Sequence, residues 1–389
     1  MHVKLGLEVL LETRIELLRD RRIGILVHPA SINSRLEHTL DLFFEHPEIN
    51  LTTVMGPQHG ARGETQDNMI EWHDYRDSVT SLPVFSLYSQ TRKPTETMLA
   101  KIDTLVVDLQ DIGSRYYTFI HTLVLTMQAC QSLDKSLIVL DRPNPINGKD
   151  IEGPVLDPHF QSFVGLYPLA VRHGMTIGEL ALYFNQEFKI ACKLEVVKMQ
   201  QWDRELFFEE SNLPWVLPSP NIPTIDTAIT YPGMCLLEGT NVSEGRGTTR
   251  PFELSGAPWI KAKELVSRVS KIGLPGVYFR PVYFTPTFQK WAGELVEGCQ
   301  IHVVDRSTFR PFRTGLALLQ LYREIGEDQF QWKQPPYEYE HEKLPIDILC
   351  GTDRVRKQLE IGASVDDLEQ LWDSDLERFA EVRQQYLLY

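Results

Sequence analysis

Short apolar runs alternate, in the first half of the chain, with segments whose apolar residues recur every three or four positions. The short runs are typical of buried strands, and the recurring segments are typical of helices that bury one face. This alternation predicts an α/β fold, a parallel and doubly wound sheet with helices packed on it. The predicted strands are Ile23–Val27, Leu51–Met55, Leu82–Ser86, Thr104–Val107, Ser136–Leu140 and Leu194–Met199.

Helical spacing predicts four helices around these strands. One of them begins at Thr176, where Thr176 and Glu179 have the spacing of a capping box. The predicted helices are Glu8–Leu18, Leu36–Phe44, Tyr117–Gln131 and Thr176 to about Phe184.

The periodic pattern stops at Leu213–Pro223, a stretch with four prolines. A chain of 389 residues is long for a single core, so we expect two domains, residues 1–212 and 213–389. In the second, β-rich runs at Gly276–Phe284 and Gln300–Val304 mix with helices, and the last two predicted helices start at Ser364 and Leu371.

The turn Pro57-Gln58-His59-Gly60 directly follows the strand predicted at residues 51–55. Ligands of such sheets bind outside the carboxyl ends of the strands, so this turn is a candidate active-site element. His59 can donate a hydrogen bond or move a proton near neutral pH, whereas the amide of Gln58 does not titrate. The alternative is that both side chains only bond the backbone of the turn.

Charged residues continue in the same loop, at Arg62, Glu64, Asp67 and Glu71. Such a loop is usually solvated surface, but this one extends from a strand-end turn. We therefore take Glu64 as the acid of this loop that faces the cleft, with plain surface exposure as the alternative.

A second polar group, Asp108, Asp111, Arg115 and Tyr116, follows the strand predicted at residues 104–107. An aspartate there is costly to bury unless it is paired. The functional interpretation is a cleft carboxylate with a tuned pKa. The structural interpretation is an ion pair of Arg115 with Asp108 or Asp111. For the similar Asp141-Arg142 pair, the prolines that follow make a structural role nearly as plausible.

The richest stretch of the second half runs from Glu238 to Arg246 and includes Asn241 and Glu244. Its glycines allow the backbone to approach a ligand closely. We expect ligand contact here, with a structural pairing of the two glutamates with Arg246 as the alternative.

Composition excludes several classes of function. The net charge of −14 and the pI near 5.3 argue against nucleic acid and anionic lipid as partners. No apolar run is long enough to span a membrane.

The motifs of several cofactor sites are missing from the sequence. No GxGxxG follows the first strand, which argues against a nicotinamide-dependent oxidoreductase, and no histidine spacing suggests a metal. The five cysteines are scattered, which predicts free thiols. We expect no cofactor, and the oligomeric state stays open. The N-terminus lacks the apolar core of a signal peptide, which predicts a cytoplasmic protein, or an exported one if the sequence is trimmed.

Six motifs together resemble the exo-acting β-N-acetylmuramidases of the NamZ type, over nearly the whole chain. The resemblance implies a Rossmann-like N-terminal domain, a smaller α/β C-terminal domain and an active site in the cleft between them. It also implies release of N-acetylmuramic acid from the non-reducing ends of peptidoglycan fragments. The motifs lie at residues 56–63, 108–118, 139–145, 171–176, 218–224 and 238–248.

One position departs from this family, which usually reads Pro-Glu-His-Gly where this chain has Gln58. A carboxamide cannot serve as general acid, base or nucleophile. Another acid performs the chemistry, or the chain binds the sugar without cleaving it, or the residue was substituted on purpose.

Glycosidases usually need two carboxyl groups across the scissile bond, and an arginine fork suits the lactyl carboxylate of muramic acid. For that fork we name Arg115 or Arg246. The candidate catalytic residues are Gln58, His59, Glu64, Asp108, Asp111 and Tyr116, and the candidate substrate-binding residues are Arg62, Arg115, Arg142, His173, Asn221, Glu238, Asn241, Glu244 and Arg246.

Overall fold

The computed structural model describes residues 2–65 and 69–389. Its first sheet has the strand order β3-β4-β2-β1-β5-β6-β7, and all neighbours are parallel except β3 and β4. Without the short β3, this is the order 3-2-1-4-5-6 of a Rossmann fold. The strands are β1 (Arg22–Val27), β2 (Asn50–Gly56), β3 (Tyr75–Arg76), β4 (Pro83–Ser86), β5 (Thr104–Asp108), β6 (Ser136–Leu140) and β7 (Lys193–Val197).

The central strands are apolar on both faces because helices cover both faces of a parallel sheet. All five residues of β5 are buried, as are the last five of β1. The capping box at Thr176 is present, with the Thr176 side chain accepting from the Glu179 amide. The helices of this part are α1 (Gly6–Thr13), α2 (Thr39–Glu45), α3 (Glu96–Leu99), α4 (Phe119–Ser132) and α5 (Ile177–Glu187).

The second part of the chain has a three-stranded antiparallel sheet in the order β8-β10-β9. The smaller α/β C-terminal part is therefore confirmed, and so is the C-terminal helix that begins after Ser364, whose side chain accepts from the Asp367 amide. Its elements are α6 (Ile225–Met234), β8 (Leu254–Ala257), α7 (Ala262–Ser270), β9 (Val277–Phe284), β10 (Val296–Val303), α8 (Pro311–Gly326), α9 (Pro345–Cys350), α10 (Arg354–Glu360), α11 (Val365–Glu369) and α12 (Asp373–Arg383).

One hydrophobic cluster joins the two parts. It contains residues of β5 and α4 together with residues of α6, α8 and α9. The two sheets therefore fold around a shared core, and the boundary expected at residue 213 stays a prediction. All five cysteines are buried free thiols. No helix in the described ranges is long and apolar enough to cross a membrane.

Candidate active site

A small pocket lies where the carboxyl edge of the first sheet meets the C-terminal part. Its cavity volume is about 40 Å³, within about 480 Å³ of empty space that includes the open solvent at its mouth. Six of the residues selected from the sequence line it; three precede the proline-rich stretch, one lies within it and two follow it: Gln58, His59, Tyr116, Asn221, Glu238 and Arg246.

The turn after β2 presents Gln58 and His59 because two residues adopt left-handed backbone conformations. His59 has φ +73° and Gly60 has φ +92°. Gly60 also has no room for a side chain, since a Cβ atom there would lie 1.7 Å from Oε2 of Glu64. Nδ1 of His59 lies 3.2 Å from the Thr65 carbonyl, and a carbonyl only accepts, so Nδ1 carries the proton. The turn is therefore rigid and aims both side chains at the pocket.

Gln58 spans two partners inside the pocket. Its Oε1 accepts a hydrogen bond from the Thr118 hydroxyl at 3.0 Å. Its side chain also hydrogen-bonds to Glu338, and because Oε1 is the acceptor, Nε2 is the donor to that carboxyl.

A buried charge network forms the C-terminal wall. Nη2 of Arg246 lies 2.7 Å from Oε1 of Glu238, and Nε of Arg246 lies 3.3 Å from Glu244. Lys290 completes the network, 2.8 Å from Glu244. Burial alone raises the pKa of Glu238, but Arg246 and the Tyr337 hydroxyl outweigh it, so the pKa is lowered. The structural alternative, a pairing of Arg246 with both Glu238 and Glu244, is therefore present. Glu238 and Arg246 also line the pocket.

Glu338 is a pocket residue that the sequence analysis missed. Its side chain is buried, and Oε2 accepts from the Tyr88 hydroxyl at 2.9 Å. Burial, helped by the charge of Glu238, raises the pKa of Glu338 to about 7. The only sequence signal was the alternation of tyrosine and glutamate at residues 337–340, which lies outside any predicted strand end.

Aromatic side chains form another wall of the pocket. Tyr231 packs edge-on against Tyr116, Tyr117 and Phe252, with ring centroids 4.7 to 5.8 Å apart. The Tyr116 hydroxyl donates to the Pro232 carbonyl, so Tyr116 is already held by the backbone of α6. These rings give the pocket apolar faces beside its charged groups.

Asp108 and Arg142 pair with each other away from the pocket lining. Nε and Nη2 of Arg142 donate to the two oxygens of Asp108 at 2.5 and 2.8 Å, and the Thr39 hydroxyl also donates to Asp108. Both side chains are at most 4% exposed. The partner of Asp108 is thus Arg142 and not Arg115, which corrects the expected pairing, and the geometry favours a structural role for both residues.

Asp111, His173 and Arg115 are also held inside the protein. Nδ1 of His173 accepts from the Met175 amide, so Nε2 carries the proton that faces Asp111 at 3.1 Å. Arg115 is fully buried and donates to the carbonyls of Pro154, Leu169 and Leu349. The Asp111–Arg115 pair of the structural interpretation is therefore absent, since Asp111 faces His173 and Arg115 binds backbone carbonyls. Arg115 acts as a bridge between the two parts of the chain.

The remaining selected residues lie outside the pocket lining. Glu64 is exposed and bonded by the Tyr75 hydroxyl, and Arg62 pairs with Asp41 and Asp77. Asn241 binds the backbone at residues 329 and 331. Asp67 lies outside the described residues. Their predicted roles in catalysis or binding stay predictions without support from this geometry.

The crevice between β1 and β5, where the strand order reverses, is filled by protein. His28, at the end of β1, is fully buried; its Nε2 accepts from the Gln110 amide at 2.8 Å, and Nδ1 faces the Pro218 carbonyl at 3.3 Å. Burial and the charge of Arg142 lower its pKa, so His28 is neutral. Dinucleotides bind at this crevice in Rossmann enzymes. Here the proline-rich stretch lies at that crevice, with the Pro218 carbonyl facing His28. Within residues 2–65 and 69–389, no three His, Cys, Asp or Glu side chains converge as a metal site requires.

Comparison with known proteins also divides the chain into an N-terminal and a C-terminal part. The family models described as exo-β-N-acetylmuramidase NamZ, N-terminal and C-terminal, match residues 23–226 and 229–389. The chain belongs to this family. Peptidoglycan β-N-acetylmuramidase NamZ of Bacillus subtilis (strain 168) is 44% identical over 387 residues, covering 100% of this chain and 91% of the relative.

Two crystal structures of DUF1343 family proteins from Bacteroides fragilis NCTC 9343 have the same fold. One has a TM-score of 0.90 at 35% identity, and the other has a TM-score of 0.77 at 31% identity. Each comparison covers 100% of this chain and 99% of the other. The fold that this chain shares with these two proteins therefore extends over the whole chain.

Proposed function

We propose that this chain is an exo-β-N-acetylmuramidase that releases N-acetylmuramic acid from the non-reducing ends of peptidoglycan fragments. One observation carries the proposal: a single small pocket combines buried carboxyl groups, a guanidinium and aromatic faces in a member of the NamZ family. Polar groups that converge in a concave pocket, beside aromatic faces, are typical of sites for small ligands. The B. subtilis relative carries the name of this activity.

The pocket residues divide into groups with different chemistry. Glu238 is ionised beside Arg246, so it stabilises the positive charge that develops at the anomeric carbon. Arg246 orients Glu238. It is also the arginine of the pocket that binds the lactyl carboxylate of muramic acid. His59 and Asn221 hydrogen-bond the sugar hydroxyls and the acetamido group, and the rings around Tyr231 pack on the sugar.

The alternative of a silent sugar-binding protein depends only on Gln58. It loses its main support because a second carboxyl, Glu338, lies one hydrogen bond from that amide. The absence of nucleic-acid partners and the location of the protein stay predictions, and the oligomeric state stays open.

Matched glycans test the exo activity. A peptidoglycan chain that ends in N-acetylmuramic acid at its non-reducing end should lose that sugar, measured by chromatography with mass detection. The same chain capped there with N-acetylglucosamine should be untouched. Cleavage of the capped chain would contradict exo action, and saturable binding without product would support the binding alternative.

A further inference from the structure

We propose that Glu338 is the proton donor of the hydrolysis, held by Tyr88 and positioned by Gln58. The inference deepens the proposed function and rests on it. The carboxyl of Glu338 reaches from the C-terminal part to the first sheet, where the Tyr88 hydroxyl donates to Oε2 at 2.9 Å and the Gln58 amide bonds the same carboxyl. Glu338 and Gln58 both line the pocket, and Tyr88 holds the carboxyl from behind this lining, so the carboxyl is fixed at the place where a sugar would lie.

Three consecutive side chains fix the segment that carries Glu338. The Tyr337 hydroxyl donates to Glu238 at 2.6 Å. The Tyr339 ring packs against Arg92, with the guanidinium carbon 3.2 Å from the ring centroid. Between them Glu338 has φ +44° and Tyr339 has φ +67°. Left-handed backbone in non-glycine residues is costly and concentrates at functional sites. Because of this turn, the Tyr337 side chain contacts the C-terminal part and the Glu338 side chain contacts the first sheet, within the pocket.

The pocket gives its two carboxyl groups opposite protonation states. Burial raises the pKa of Glu338 to about 7, whereas Arg246 and Tyr337 overcome the burial of Glu238 and lower its pKa. A pair of carboxyls with separated pKa values is the arrangement that assigns acid and ionised partner in glycosidases. Glu338 therefore keeps its proton up to about pH 7, whereas Glu238 holds a charge.

This arrangement also explains the amide at residue 58. Gln58 donates a neutral hydrogen bond to Glu338 and is itself held by Thr118. A carboxyl at residue 58 would lie within hydrogen-bond distance of the Glu338 carboxyl. Two carboxyl groups that close cannot both ionise, because their negative charges repel each other. Gln58 is thus a positioning residue, and the carboxyl expected at that turn is supplied from the other part of the chain.

In the proposed step, the carboxylic proton of Glu338 passes to the glycosidic oxygen. The bond from that oxygen to the anomeric carbon breaks, its electron pair stays on the oxygen, and the remaining glycan leaves as an alcohol. Water then forms a new bond to the anomeric carbon and releases one proton to solvent. Glu338 regains a proton from solvent, so the net reaction consumes one water and yields two sugars.

Two substrates with different leaving groups test the assignment. The disaccharide of N-acetylmuramic acid and N-acetylglucosamine needs a proton on its leaving oxygen, whereas a 2,4-dinitrophenyl β-N-acetylmuramide leaves without one. We expect Glu338→Gln to lower kcat on the disaccharide by roughly 10²–10⁴-fold and to retain most of the rate on the aryl substrate. The matched control is Glu342→Gln, an exposed glutamate four residues away, which should resemble the native chain on both substrates.

The outcomes separate the two proposals. Equal losses on both substrates, or no loss on either, would overturn the assignment of Glu338. If the native chain hydrolyses neither substrate, the proposed function itself fails.

A second variant gives a readout that a structural role would not move. The acid acts while protonated, so activity falls as pH rises through the pKa of Glu338, near 7. The Tyr88 hydrogen bond lowers that pKa, so Tyr88→Phe should move the alkaline limb of the pH profile to higher pH. An alkaline limb that stays in place in Tyr88→Phe would contradict the proposal.

Discussion

The buried pair of Asp108 and Arg142 allows a direct test of whether Asp108 is structural or chemical. Asp108→Asn keeps the shape of the side chain but removes its charge. Arg142 then loses its charged partner, and the acceptors left to it are neutral: the Ile32 carbonyl, at 2.8 Å, and the amide oxygen of the substituted side chain. Removing one partner of a buried pair costs about 3–5 kcal/mol, because the other charge stays buried without compensation. We expect Asp108→Asn to lower the free energy of unfolding by an amount in that range.

The chain contains a matched control on its surface. Asp103 accepts three hydrogen bonds from Arg22, two from the guanidinium at 2.6 and 3.1 Å and one from the backbone N–H at 2.9 Å, but the two side chains are 43% and 48% exposed. Solvent replaces such a pair at little cost, so Asp103→Asn should leave stability nearly unchanged. The two aspartates thus share chemistry and differ in burial.

Urea unfolding, followed by tryptophan fluorescence, measures both variants at equal m-value. The folded fraction of Asp108→Asn should retain the native pH profile of turnover. Two results would refute the reasoning. One is a loss no larger in Asp108→Asn than in Asp103→Asn. The other is an Asp108→Asn protein of native stability that no longer turns over, since Asp108 would then be a chemical group.

Three further predictions concern the pocket. If a carboxyl at residue 58 carries the proton transfer, Gln58→Glu raises kcat by roughly 10²–10⁴-fold. If Glu338 is the proton donor, the added carboxylate instead raises the pKa of Glu338 and moves the alkaline limb of the pH profile to higher pH, without the gain in kcat. A profile of kcat against pH distinguishes these two outcomes. Arg246→Lys should raise KM for muramic-acid substrates, because a single ammonium replaces the fork, whereas Arg250→Lys, near the surface, should not. Prolonged dialysis against EDTA should leave turnover unchanged, and a loss restored by zinc would contradict the expectation of no metal.

The first sheet was predictable because its signal is local. Each parallel strand is a short apolar run, and both faces of such a strand are buried, so β5 and β6 stand out from the sequence alone. The turn at Gln58 was found for the same reason, since it directly follows β2. The helix that begins after Ser364 was found from a cap signal four residues long, Ser364 to Asp367.

The pairing of charges was not predictable because it depends on tertiary distance. Asp108 and Arg142 lie 34 residues apart and meet only because β5 and β6 are neighbours. Glu338 is 280 residues from Gln58, and its segment has no strand-end position that would mark it. The sequence analysis therefore located one wall of the pocket and the Glu238–Arg246 loop, and missed the acid between them.

A crystal structure of Glu338→Gln with the uncleaved disaccharide of N-acetylmuramic acid and N-acetylglucosamine tests the central claim most directly. The account predicts the muramic acid ring in the pocket between Gln58 and Arg246, with the glycosidic oxygen within hydrogen-bond distance of residue 338. A disaccharide bound elsewhere, or one whose glycosidic oxygen faces away from residue 338, would contradict it.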